Sequence, residues 1–317
     1  MTFFIDEEWA GRTVLSFVTC KLKISSAALA ALKRDDRGIT VDGKHVTVRH
    51  VLNVGETLTL NEKDSFEDVN QNIEPVNLKL DIIFENDDMI VVNKPADMPT
   101  HPSHNHHYDT VANGMAHIYS ERGEPLIFRP MGRLDRNTSG IVVLAKHSIA
   151  ASFLSYARRK SLFKKRYIAI LCGRIDTDGS LQTIDNYMKR TADSVIMRCV
   201  TNADDDGAMR AVTHWNLLYT DDNISVVEAF PQTGRTHQLR VHFASIGHPI
   251  LGDDIYGTPS PHINRHALHA FGLSIPMPYT EDMISFTADI PEDMKKAFFD
   301  ITQKNINSLP SIPQGEL

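Results

Sequence analysis

Arg133-Leu134-Asp135-Arg136 places a carboxylate between two guanidinium groups, directly ahead of the turn formers Asn137, Thr138, Ser139 and Gly140 and the unbroken apolar run 141–145. On an exposed turn such an aspartate would make weak surface ion pairs and nothing more. A strand-length apolar run entered through a turn points instead to a loop that leads into the core. There a cation within a few ångströms offsets the desolvation that would otherwise protonate the carboxylate, so Asp135 stays ionised while losing water. That is the condition for a nucleophile or a general base.

Other residues of chemical type carry less. His101, His104, His106 and His107 lie near Asp109 in HPSHNHHYD, but the stretch contains Pro and Asn and lacks the i, i+4 histidines of a helical metal site, so no metal is expected. Asp253 and Asp254 in LGDDIYG read as turn residues. Ser139 and His237 would suit a hydrolase only in a nucleophile-elbow pattern, which is absent. Cys20, Cys172 and Cys199 show no CxxC spacing and read as ordinary thiols of a reducing compartment. No glycine-rich phosphate loop occurs, and no cofactor is expected. The run ARRKSLFKKRY, residues 157–167, holds six basic residues and no acidic one. It is either a solvated helix face or a grip for phosphates, with Arg158, Arg159, Lys160, Lys164 and Lys165 as the candidate contacts.

The elements that must position these groups fall into three segments. Residues 1–62 read as a small α/β module: SSAALAALKRD has helical composition, and GITVDGKHVTV gives two short strands around an Asp-Gly turn. Its lysines and arginines outnumber its acids between residues 12 and 56, which allows a phosphate-facing surface. Residues 63–78, polar and acidic, read as a linker with too few apolar groups for a shared core, so the module is expected to hang on a tether. Residues 79–317 mix many strands with fewer helices. DIIFENDDMIVVNKP suggests strand, turn and strand; KRYIAILCG and NISVVEAFP add further strands; SIAASFLSYARRK has amphipathic helical spacing. The expected fold class is α+β around a largely antiparallel mixed sheet.

The whole chain of 317 residues is 42% hydrophobic and 23% charged, as a globular protein is, and its net charge of −7 argues against indiscriminate nucleic-acid binding. No run approaches the length of a membrane span, and the acidic start MTFFIDEEWAGRT does not suit a signal peptide, so a cytoplasmic location and no membrane partner are expected.

GRLDRNTSGIVVLAK is similar to the HRLDxxTSG signature of the RNA pseudouridine synthases of the RluA, RluC and RluD type, with Gly132 where the signature has His. NKPADMPTHP (93–102), KKRYIAI (164–170), PQTGRTHQLRVHFASIGHPILGDDIYG (231–257) and HALHA (266–270) agree with that family in order. Residues 1–62 resemble the S4-type RNA-binding module that precedes many such catalytic domains. The resemblance implies catalytic roles for Asp135, for Arg240 as its pairing cation and for Tyr167 beside the uracil, with Arg133 helping to displace the target nucleotide from its stack. It implies a structured RNA partner, 23S ribosomal RNA ahead of transfer RNA, and a redox-neutral isomerisation that needs no cofactor. A noncatalytic RNA-binding relative or assembly factor is the alternative that Gly132 and the acidic net charge would favour. Oligomeric state is left open.

Overall fold

The computed structural model describes residues 1–61, 73–280 and 282–309. Residues 62–72, most of the expected linker, lie outside the described residues. The remainder of the linker runs without regular structure along the helix Val111–Arg122, where Asn113 Nδ2 donates to Glu74 O at 2.8 Å and the Val76 N–H to Asn113 O at 3.2 Å.

Residues 1–61 form a four-stranded antiparallel sheet in the order Thr2–Phe4, Thr57–Leu60, Ile39–Val41, Lys44–His45. Asp42 and Gly43 both have positive φ, 48° and 75°, as the two-residue turn of a tight hairpin requires. The helix Ser26–Arg34 starts at Ser25, whose Oγ accepts from the Ala28 N–H, and it buries Ala28, Leu29 and Leu32. These side chains join Ile5, Phe17, Leu22 and Leu58 in one apolar cluster.

That cluster does not stop at the module. It takes in Ile149 and packs against Tyr279, which also packs against a core cluster of the large domain. Phe3 and Phe153 both make T-shaped contacts with the Tyr279 ring, at 5.8 and 5.6 Å between centroids. Ser152 Oγ and Ser25 Oγ share a 3.0 Å hydrogen bond, and Lys23 Nζ lies 5.0 Å from the centre of the Tyr156 ring. The N-terminal module is therefore docked on the helix Ser148–Arg159, not hung on a tether. Linker composition gave no sign of this because the contacts come from side chains far from the linker in sequence.

The rest of the chain builds one eleven-stranded sheet among the described residues. Its centre runs Met209–Thr220, Ile224–Pro231, Lys164–Cys172, Leu268–Pro276, Ser139–Ala145, Met89–Lys94. Pairing is antiparallel except between Leu268–Pro276 and Ser139–Ala145, which meet in parallel at His269 and Ala270. Every residue of Ser139–Ala145 is buried, as its unbroken apolar run requires. Gly140 makes the parallel junction possible: its φ is 114°, and a Cβ there would stand 2.3 Å from Ala270 O. The architecture is the α+β, largely antiparallel one expected from the strand and helix patterns.

Candidate active site

Asp135 sits in the loop that enters Ser139–Ala145, and the main chain of this loop is held carbonyl by carbonyl. Asp135 O accepts the Thr138 N–H at 3.0 Å. Arg136 O accepts from Lys94 Nζ at 3.0 Å and from the Met98 N–H at 3.3 Å. Asn137 O accepts from Arg265 Nη1 at 3.1 Å, and Thr138 Oγ1 shares a 2.8 Å hydrogen bond with His266 Nε2. A carboxylate on a loop fixed at so many points needs no reorganisation before it acts.

Lys94 is the least expected of these anchors. It is fully buried, and its Nζ also donates to Pro95 O at 2.8 Å and Met98 O at 2.7 Å. Burial, with Arg265 adding to it, pulls its pKa down to about 7, while Asp135 and Asp97 pull the other way. Three carbonyl acceptors match the three hydrogens of an ammonium group, so the geometry favours the charged form. Lys94 was not singled out from the sequence, where it stands only as part of the family-like stretch NKPADMPTHP.

Arg240 rises from the buried helix Gln238–Ser245. Its two short hydrogen bonds go to Asp253, Nε to Oδ2 and Nη2 to Oδ1, both at 2.7 Å, with a longer one from Nη2 to Asp254 Oδ1 at 3.5 Å, whereas Asp135 Oδ2 stands 4.0 Å from Nη1. Asp253 is buried completely and accepts the Ile255 and Tyr256 N–H groups as well. Burial would raise the Asp253 carboxyl, but Arg240 outweighs it and holds the pKa below the ordinary value. Asp253 is thus the direct partner of Arg240, and Asp135 sees the same cation across a gap. The turn reading of LGDDIYG missed this.

Tyr167 lies on Lys164–Cys172 with its ring almost entirely buried at the floor of the cleft. Burial, and then the charge of Asp135, push its phenol pKa upward, so the hydroxyl keeps its proton. Ser139 is paired with His269, not with His237: the Ser139 Oγ to His269 Nδ1 distance is 2.9 Å. His106 is engaged by Asp109 at 2.6 Å and by Arg136 at 3.2 Å.

These groups open onto a cleft of about 1080 Å³. Among the described residues that line it, Asp135 is the single carboxylate, against Arg133, Arg136, Arg158, Lys165, Arg235 and Arg240. An acidic chain has folded a cationic cleft around one aspartate. Arg158 reaches it from the end of the helix Ser148–Arg159 and donates to Met131 O at 3.1 Å. Burial beside Arg158 lowers the Lys165 pKa. A Cβ on Gly132 would stand 3.5 Å from Lys165 Nζ, so the glycine leaves that side of the cleft open. Arg159, Lys160 and Lys164 are exposed but do not line the cleft. Arg235, which does, was not singled out from the sequence; its N–H is held by Gln238 Oε1 at 3.0 Å.

A cationic cleft built around one carboxylate coincides with a family match. Residues 88–245, which include Asp135, Tyr167 and Arg240, match the family described as RNA pseudouridylate synthase. The chain is 38% identical over 277 residues to the uncharacterized RNA pseudouridine synthase YjbO of Bacillus subtilis, covering 87% of this chain and 95% of the relative. It is 34% identical over 238 residues to the ribosomal large subunit pseudouridine synthase D of Zymomonas mobilis, covering 71% of this chain and 74% of the relative. The human protein RNA Pseudouridylate Synthase Domain Containing 1 superposes with a TM-score of 0.54 at 28% identity, over 72% of this chain and 86% of that one. The chain belongs to the RNA pseudouridine synthase family, of the RluA and RluD type, and is an enzyme of that class. Among the described residues no helix is long and apolar enough to cross a membrane.

Proposed function

We propose that this enzyme isomerises specific uridines in structured ribosomal RNA, 23S RNA first, through Asp135. The observation that carries the reading is the cleft itself, in which one carboxylate faces six cationic side chains. The relatives named for the ribosomal large subunit support the choice of RNA. A stacked base cannot present its glycosidic bond, so the target nucleotide is flipped at a cost of roughly a few kcal/mol. Arg133, exposed at the cleft, fills the vacated space, and Arg158 and Lys165 hold the backbone beside it. Asp135 acts on the flipped uridine as nucleophile or base, with the Arg240 cation 4.0 Å from its carboxylate, and Tyr167 offers a flat face and a protonated hydroxyl to the freed uracil. Mapping pseudouridines in RNA from cells with and without the protein tests the assignment. A missing site in 23S RNA supports it; a missing site only in transfer RNA moves the substrate; no change in any RNA rejects it.

In this reading residues 1–61 are an S4-like RNA grip. Lys33, Arg34 and Arg37 are exposed at and just beyond the end of the module helix. Replacing all three with Ala should weaken RNA binding and flatten its salt dependence, each lost phosphate contact lowering the slope of log K against log salt by roughly 0.7 to 0.9. The single-turnover rate at saturating RNA should hold. Binding measured across a salt series is the check, and an unchanged slope removes these residues from the interface.

A further inference from the structure

Most buried polar groups around Asp135 are spent on holding loops, but His237 keeps one ring nitrogen, Nε2, out of such bonds among the described residues. Its backbone is left-handed, φ 57° and ψ 20°, a conformation that a non-glycine residue keeps only when its surroundings impose it. The side chain is 10% exposed and lines the cleft. Nδ1 lies 2.9 Å from Tyr256 Oη, which in turn lies 2.9 Å from the Arg198 main-chain nitrogen. The Arg198 N–H donates to that oxygen. Among the described residues the Tyr256 hydroxyl proton then has a single acceptor, His237 Nδ1, so the neutral ring carries its own proton on Nε2. Nε2 faces Asp135 Oδ2 at 4.0 Å, too far for a hydrogen bond. Burial lowers the imidazole pKa more than anything else near it, against the pull of Asp135 and Asp253 and with Arg240 and Arg198 adding to the lowering. The result is a neutral donor aimed into the cleft beside the reacting carboxylate, with no acceptor at hydrogen-bond distance among the described residues.

We propose that His237 donates its Nε2–H to a carbonyl oxygen of the target uracil and stabilises the negative charge which that ring takes up during the reaction. In the isomerisation the N1–C1′ bond breaks and its electron pair stays with the uracil. C5 then supplies the pair for the new C5–C1′ bond, and the C5 proton is exchanged for one on N1, so atoms and electrons balance without a co-reactant. The excess charge rests on the ring carbonyls whether Asp135 attacks C6, attacks C1′ or removes a ribose proton, so the assignment does not depend on that choice. It does rest on Asp135 as the reacting group. A neutral donor suits the position, because an imidazolium would pair with Asp135 and blunt it.

The test uses an RNA that the wild-type enzyme modifies, carrying uridine or 5-fluorouridine at the target, under single turnover with conversion read by nucleoside mass spectrometry as loss of the starting N1-linked nucleoside. Fluorine at C5 blocks the final proton loss, so pseudouridine itself cannot form from 5-fluorouridine. His237→Leu removes the donor and should slow the uridine reaction by about 100-fold, the scale of losing one oxyanion donor, with RNA affinity little changed. His237→Gln returns an amide N–H near the Nε2 position and should recover most of the rate. Fluorine withdraws charge from the ring, so the Leu defect should shrink several-fold on 5-fluorouridine, whereas a residue that merely shapes the loop would slow both nucleotides equally. Equal losses on the two substrates, or a His237→Leu rate close to wild type, would overturn the proposal. If the Leu variant does not fold, Gln against Asn decides, since Asn tolerates the left-handed backbone but stops short of Nε2: a fast Asn and a slow Gln variant refute it. Asp135→Asn is run alongside. Normal turnover there defeats the reading of Asp135, while an inactive Asp135→Asn with a normal His237→Leu defeats only the hydrogen bond to uracil.

Discussion

Asp135→Asn is expected to abolish pseudouridine formation, by about 10⁴-fold or more, on the scale seen when an enzyme loses its reacting nucleophile or base. The fold should not notice. The loop is fixed through main-chain carbonyls that bond Thr138, Lys94, Met98 and Arg265, and none of those contacts uses the Asp135 side chain. The amide has the shape of the carboxylate without its charge, and the side chain is 30% exposed, so no buried partner is left unsatisfied. RNA affinity should hold or rise slightly, because the change removes the one negative group that lines the cationic cleft among the described residues. Single-turnover conversion, equilibrium binding and a thermal melt on one preparation separate these effects. Near-normal conversion would remove Asp135 from the chemistry, and a lowered melting temperature would show that the side chain also holds the loop.

Much of this site was legible in the sequence, and the failures share a cause. The strand Ser139–Ala145 announced itself because all its residues are buried, and the hairpin at Asp42 and Gly43 because its turn has a narrow chemical requirement. The helix Ser148–Arg159 followed from its amphipathic spacing. The helix Gln238–Ser245 was hidden: its first six residues, including Gln238, Arg240 and His242, are all buried, so it shows no polar face to mark a period. Partners distant in the chain were hidden for the same reason. Nothing local in NKP says that Lys94 holds Arg136 O, and nothing in LGDDIYG says that Asp253 is the group Arg240 bonds or that the Tyr256 hydroxyl meets a histidine ring nitrogen. Local chemistry shows which residues are capable of a role, and the sheet order decides which of them meet.

Arg240→Met should cost activity and stability together, and the two losses should be separable. The guanidinium is bonded twice to the fully buried Asp253, so its removal strands a carboxylate that keeps only the Ile255 and Tyr256 N–H groups. Breaking one side of a buried pair costs about 3–5 kcal/mol. For a domain of this size that is a fall of roughly 6–20 °C in melting temperature. The pH dependence should change sign. In the wild type the Asp253 pKa is held below its ordinary value, so the pair adds stability above the unfolded pKa of about 3.9, and that stability is lost as pH falls through the lowered folded value. Without Arg240, burial pushes the same carboxyl upward, the folded state binds the extra proton, and the variant regains stability on acidification. Melts at pH 8 and pH 5.5 should therefore bring variant and wild type closer together at the lower pH. Adding Asp253→Asn removes the stranded charge while keeping an acceptor for the two N–H groups, and should restore most of the melting temperature. It should not restore conversion, because Asp135 still lacks the cation that stands 4.0 Å away. A double variant that regained both would confine Arg240 to holding Asp253, and a single variant with full conversion at neutral pH would sever it from the reaction.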